Sequence, residues 1–128
     1  LQIIIMWLTF DWDDVSLETP IVKAAILELV VLFGEGNVWY RISSSGTGLH
    51  LVVANLKWDG ETMQSILTPK DFEDEFVMSI RKMFVNEPWN IECNGRLQTD
   101  LMRQKGGTVW GRVFTLKNGN ISGEWLPC

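Results

Sequence analysis

Asp11 and Asp13 flank Trp12 at the end of a nearly unbroken apolar run, and a strand's period of two would set both carboxylates on one face. Like charges that close are costly unless a cation lies between them, so the pair is either a metal site or a solvated Asp-rich turn. Asp14, next in the chain, should point away and be dispensable. A second stretch, Ser44-Ser45-Gly46-Thr47-Gly48 with His50 just beyond, offers hydroxyls and two glycines that let backbone N–H groups approach an anion. It is a triphosphate cradle or an ordinary exposed turn. In a third stretch Asp100 stands between Arg96 and Arg103, as a surface ion pair or as the acid that completes a metal site. Two-metal phosphoryl transfer calls for roughly three carboxylates plus basic or hydroxyl groups for the phosphates, and these three stretches supply that set.

The elements that must position these residues are readable from periodicity and punctuation. Gln2 to Phe10 is β-branched and apolar, as a strand covered on both faces would be, and it should continue through Asp13. Thr19-Pro20 is a helix-start signal, and the almost wholly apolar helix over Ile21 to Phe33, closed by Gly34, should be well buried. Val38 to Ser43 and Leu49 to Ala54 read as a hairpin around the Ser/Gly stretch, followed by a turn at Trp58-Asp59-Gly60. Thr68-Pro69 repeats the helix-start device with Asp71 in the first turn. The helix it opens would carry Phe72, Phe76, Ile80, Met83 and Phe84 inward and Glu73, Asp74, Arg81 and Lys82 outward. Beyond Pro88, strands are expected over Trp89 to Cys93, Arg96 to Arg103 and Thr108 to Lys117, with turns at Asn94-Gly95, Gly106-Gly107 and Asn118-Gly119-Asn120. The order β, α, β, β, α, β predicts an α+β, split βαβ (RRM-like) antiparallel sheet. Two main helices would pack on one face, with extra C-terminal strands, in a single domain over residues 1–128.

Composition narrows the function classes. At 128 residues and 46% hydrophobic, the chain can bury a core without staples. Cys93, Cys128 and the lone His50 form neither a disulfide framework nor a four-ligand zinc pattern, so a reducing, cytoplasmic setting is expected. No stretch reads as a membrane span or signal peptide. A net charge of −5 argues against a general electrostatic coat for nucleic acid. Arg96, Arg103, Lys105, Arg112 and Lys117 nevertheless form a local basic strip, either a phosphate contact or the solvated face of a hairpin.

Asp11-x-Asp13, then Ser44-Ser45-Gly46-Thr47-Gly48-Leu49-His50-Leu51, then Asp100 resemble the three motifs of archaeo-eukaryotic primases and primase-polymerases. Gly95-Arg96-x-x-x-Asp100-x-x-Arg103, with Gly107-Thr108 and Phe114-Thr115-Leu116-Lys117, is most similar to the polymerase domain of bacterial DNA ligase D. The resemblance implies a nucleotidyltransferase that adds NTPs or dNTPs to a 3′ hydroxyl on a DNA template-primer, working with a helicase or ligase partner. It implies that Asp11, Asp13 and Asp100 bind two Mg²⁺ or Mn²⁺ ions. Ser45, Gly46, Thr47, Gly48 and His50 would contact the triphosphate, with Arg103 and Lys117 as further nucleotide contacts. Thr47 stands where the family often has Lys, and Asp14 where many members have Pro. An alternative is an RRM-like module that binds single strands through Trp39, Tyr40 or Trp110. A rolling-circle nickase is disfavoured, because its metal site needs paired histidines.

Overall fold

The structure, a computed structural model, describes residues 5–105, 116–117, 120–121 and 124–128. The first apolar run is divided into β1 (Ile5–Trp7) and β2 (Thr9–Trp12), which serve different sheets. β2 ends at Trp12, so Asp13 lies just beyond the strand rather than in it. Next come α1 (Pro20–Phe33), β3 (Val38–Ile42) and β4 (Leu49–Asp59). Strand β4 lies between β2 and β3 and is antiparallel to both. An isolated antiparallel bridge from Trp12 to Glu92 adds a contact from the chain's second half. The chain is α+β, with helices packed against a mostly antiparallel sheet.

The core forms where alternating strand residues meet the helices. Leu8, Phe10 and Trp12 join Leu49, Leu51 and Val53, with Val22, Ala25 and Leu29 of α1, all fully buried. Phe84 sits 5.4 Å from the Phe10 ring, 5.9 Å from Trp12 and 5.3 Å from Trp89. Such aromatic contacts contribute about 0.5–1.5 kcal/mol each beyond the area they bury. The opposite parity of the same strands carries Asp11, His50 and Arg41, so the pattern that builds the core also aligns the polar groups.

Several local expectations are corrected. Helix α1 has the expected bounds but is not wholly buried: Leu27, Val31 and Leu32 are exposed. A helix packed on one layer buries one face whatever its composition. Thr68 and Pro69 end β5 (Gln64–Pro69), which pairs with the far half of β4, and a short β6 (Asp71–Glu73) pairs with β1. Proline is tolerated at that strand end, and the helix instead starts where Asp74 and Glu75 place negative charge in the first turn.

Helix α2 (Asp74–Val85) buries Val77, Met78, Arg81 and Phe84, so Arg81 faces inward, not outward, and Phe76 is partly exposed. Phe76 instead contacts Phe33 and Phe72 in a satellite aromatic group. The largest difference is α3 (Asn94–Lys105), which replaces both the Asn94-Gly95 hairpin turn and the Arg96 to Arg103 strand. Leu, Gln, Met, Arg and Lys favour a helix there, and Leu97 and Asp100 fall three apart on its buried face. Trp89 to Cys93 makes only the bridge at Glu92, not a strand.

β7 (Leu116–Lys117) pairs with β8 (Asn120–Ile121), and β9 (Leu126–Pro127) adds to the outer side of β3. The Gly106-Gly107 turn, most of the Thr108 to Lys117 strand, Trp110 and Arg112 lie outside the described residues. Among the described residues, no helix is long and apolar enough to cross a membrane.

Candidate metal and phosphate site

The β2–β4 register sets Asp11 directly opposite His50. Their side chains therefore leave the same face of the sheet, and His50 Nε2 lies 3.6 Å from Asp11 Oδ1. Asp13, one residue past the strand end, is exposed, while Asp11 and His50 are mostly covered. Ligand atoms of Asp11, Asp13 and Cys93 all fall within 4.8 Å of one another. Asp14 is exposed, has φ of 54°, and stands outside that group.

The Ser/Gly hairpin closes over the same edge. Thr47 O accepts from Val15 N–H at 3.2 Å, which ties the loop to the chain just after the Asp cluster. Gly48 makes this possible: a Cβ there would overlap Trp12 O and come within 3.2 Å of Asp13 Cα. At the tip, Gly46 has φ of +77°, which glycine adopts without steric cost. Ser43, Ser45 and Thr47 hydroxyls form a chain, with Oγ–Oγ spacing of 2.9 Å and then 3.0 Å. Gly48→Ala is expected to push the loop from Asp13, costing about 1–3 kcal/mol of stability and weakening cation binding. Thermal melting and Mn²⁺ titration of that variant check both effects.

Behind the surface acids lies a second, buried set of charges. Arg81 Nη1 donates to Asp100 Oδ2 at 2.8 Å, and Arg81 Nε to Glu92 Oε2 at 3.3 Å. Arg103 Nη1 donates to Asp100 Oδ1 at 3.2 Å from a half-exposed position. Glu92 Oε1 in turn accepts the backbone N–H groups of Asp11, at 2.9 Å, and Cys93, at 3.0 Å. A continuous polar path therefore runs from Asp100 on α3, through Arg81 on α2 and Glu92, to the backbone of Asp11. Arg96 is tied to Thr9 through its backbone oxygen at 3.3 Å and through its hydroxyl. Burial, then the charge of Arg81, lowers the Arg96 pKa, while Glu92, Asp100 and Asp11 oppose the change.

Burial pushes the Glu92 carboxyl up to about 7, outweighing the opposing influence of Arg81, Arg96 and the two backbone N–H groups. A carboxyl whose folded value is raised from 4.5 to about 7 binds its proton more tightly when folded. Its stabilising contribution is thus complete below the unfolded value and is lost as pH rises through the folded one. Between about pH 5 and pH 8 the unfolding free energy should fall by on the order of 3 kcal/mol from this group. Urea denaturation at both pH values should show that fall in the wild type and a smaller one in Glu92→Gln. The Cys93 thiol is also raised, by burial first and then by Asp13, Asp11 and Glu92 against a backbone hydrogen bond from Arg96. It therefore remains a thiol at neutral pH.

Of the residues singled out from sequence, Asp11, Asp13, His50 and the 44–48 loop are brought to one edge. Asp100 is not: both its oxygens are engaged by Arg81 and Arg103, and it stands outside the Asp11, Asp13 and Cys93 group. Lys117 is described only as part of β7, in register with Asn120. Tyr40 packs against the core, and Trp39 Nε1 donates to the Gly36 and Ala54 carbonyls. Sequence reasoning missed Cys93, Glu92, Arg81 and Arg41. An arginine at Val77, Met78, Arg81, Phe84 spacing was the available signal, because an inward cation calls for buried acids. In comparisons with protein-family models, curated proteins and solved structures, no match to this chain was found.

Proposed function

We propose that this domain is a primase-polymerase type nucleotidyltransferase, adding nucleotides to a 3′ hydroxyl on a DNA template by metal-dependent phosphoryl transfer. The observation that carries the reading is the Asp11–His50 register beneath a Ser/Gly hairpin seated on the Asp cluster. A cation-binding pair and a phosphate-binding loop thereby share one edge.

The donor set fits one divalent cation. Mg²⁺ is usually held by one or two carboxylates together with substrate phosphates and water, and Asp11 and Asp13 supply those carboxylates. The two carboxylates by themselves are hard oxygen donors of the kind that suit Mg²⁺ or Mn²⁺. Such a cation would neutralise phosphate oxygens and polarise the phosphorus under attack. Among the described residues Asp100, paired with two arginines, stands apart from that donor set, so the proposal here is for the one cation held by Asp11 and Asp13. Ser45, Thr47 and the loop amides orient the triphosphate by donating to its oxygens, and His50 adds an N–H at the strand's start. Lys117 and Arg103 are proposed as further phosphate contacts. NTPs or dNTPs, a template-primer, a helicase or ligase partner and a cytoplasmic setting belong to the same proposal.

Extension of a labelled primer-template with Mn²⁺ or Mg²⁺ tests it, with Asp13→Asn as the matched variant. Wild-type incorporation that the variant loses supports the reading. Binding of single strands without incorporation would instead favour a binding module.

A further inference from the structure

Arg41 extends the row of opposed residues by one strand. The β3–β4 register sets it directly across from His50, which itself faces Asp11, so the three side chains line up over β3, β4 and β2. Arg41 is 4% exposed, and its Nε–H donates to His50 Nδ1 at 3.2 Å. The other ring nitrogen, Nε2, is the one that faces Asp11, at 3.6 Å. The C-terminal segment holds Arg41 in place: β9 pairs with β3, and the Trp125 ring lies 4.3 Å below the guanidinium carbon.

Chemistry then decides the tautomer. A guanidinium has five N–H donors and no acceptor and is not deprotonated in proteins, so a ring nitrogen bonded to it must accept. An imidazole whose Nδ1 accepts carries its hydrogen on Nε2 when neutral. We infer that Arg41 is a positioning residue that fixes His50 as the Nε2–H tautomer and aims that N–H at the edge formed by Asp11 and the hairpin. The aim matters for catalysis because His50 is read as a phosphate donor, so this part rests on the proposed function. A ring turned over would present a lone pair to phosphate oxygens and repel them.

Two measurements separate this inference from the function it rests on. Long-range ¹H–¹⁵N correlation of the wild-type imidazole at about pH 8, above the usual range for ring protonation, reads the tautomer without any activity. A protonated Nε2 and a bare Nδ1 are expected; a protonated Nδ1 would overturn the inference whether or not the protein incorporates nucleotides. The second measurement is a cycle of Arg41→Leu, His50→Ala and the double variant, read as KM for nucleotide. Arg41→Leu should raise KM roughly tenfold, and the double variant should be no worse than His50→Ala alone, because one residue acts through the other. Additive effects, or an unchanged KM in Arg41→Leu, would overturn it. Arg41→Lys keeps a donor and a charge, and should recover part of the lost affinity; if Arg41→Leu does not fold, KM no better in Arg41→Lys than in His50→Ala counts against it.

Discussion

Asp100→Ala is expected to destabilise the fold by about 3–5 kcal/mol, whereas Asp13→Ala should leave stability within about 0.5 kcal/mol of wild type. The difference follows from where the two acids lie. Asp13 is exposed and its carboxylate stands close to that of Asp11, so removing it relieves like-charge repulsion. Asp100 is buried and accepts from Arg81, whose side chain has no exposure. Removing it leaves Arg81 with one buried acid, Glu92, whose own carboxyl is pushed up to about 7 by burial. An arginine with its charge half compensated in the interior is the costly situation. The effect should spread to the site, because Arg81 holds Glu92 and Glu92 holds the Asp11 and Cys93 N–H groups. Urea denaturation in the presence of a chelator measures both variants without bound cation. Equal stabilities would mean that Asp100 is not part of the internal support.

The second large effect concerns Asp13 itself. Asp13→Asn keeps the shape of the side chain and removes one negative charge from an exposed position, so the fold should be intact. Cation affinity and nucleotide incorporation should each fall by on the order of a hundredfold or more. Even groups that only orient metal ligands contribute about 10–100-fold, and a carboxylate that carries the charge should contribute at least that much. Isothermal titration with Mn²⁺, on a variant first shown to melt like wild type, separates lost binding from lost folding.

How far the chain's sequence foretells this arrangement depends on the range of the interaction concerned. The β3–β4 hairpin follows from two apolar, β-branched runs around a Ser/Gly turn, and Pro20 and Gly34 bracket α1 by local chemistry. The meeting of Asp11 with His50 is a direct consequence, since pairing two strands fixes which residues are opposite. Misreadings fall where local signals are ambiguous. Asn94-Gly95 is a strong turn dipeptide between strands, yet here it opens α3, and a short polar segment with few apolar residues does not declare its period. Thr68-Pro69 resembles a helix start but ends a strand, because β4 continues far enough to pair with it.

The buried ion pairs were the least legible. Arg81, Glu92 and Asp100 come from three separate segments, and an inward arginine looks like an outward one until its partners are known. From the sequence Asp100 reads as a surface ion pair or as the acid that completes a metal site, whereas it is buried and its oxygens face Arg81 and Arg103. Arg41 is hard to read for a related reason: its partner His50 is nine residues away, across a hairpin whose register decides the pairing.

Primer extension on a labelled template with Mn²⁺, run side by side on wild type, Asp13→Asn and Asp100→Asn, tests the proposed site most directly. Asp100→Asn retains an acceptor for Arg81 and should keep measurable incorporation if it folds. Incorporation by wild type and its loss in a fully folded Asp13→Asn are expected. Undiminished incorporation by Asp13→Asn, or none by a wild-type protein that binds Mn²⁺, would contradict it.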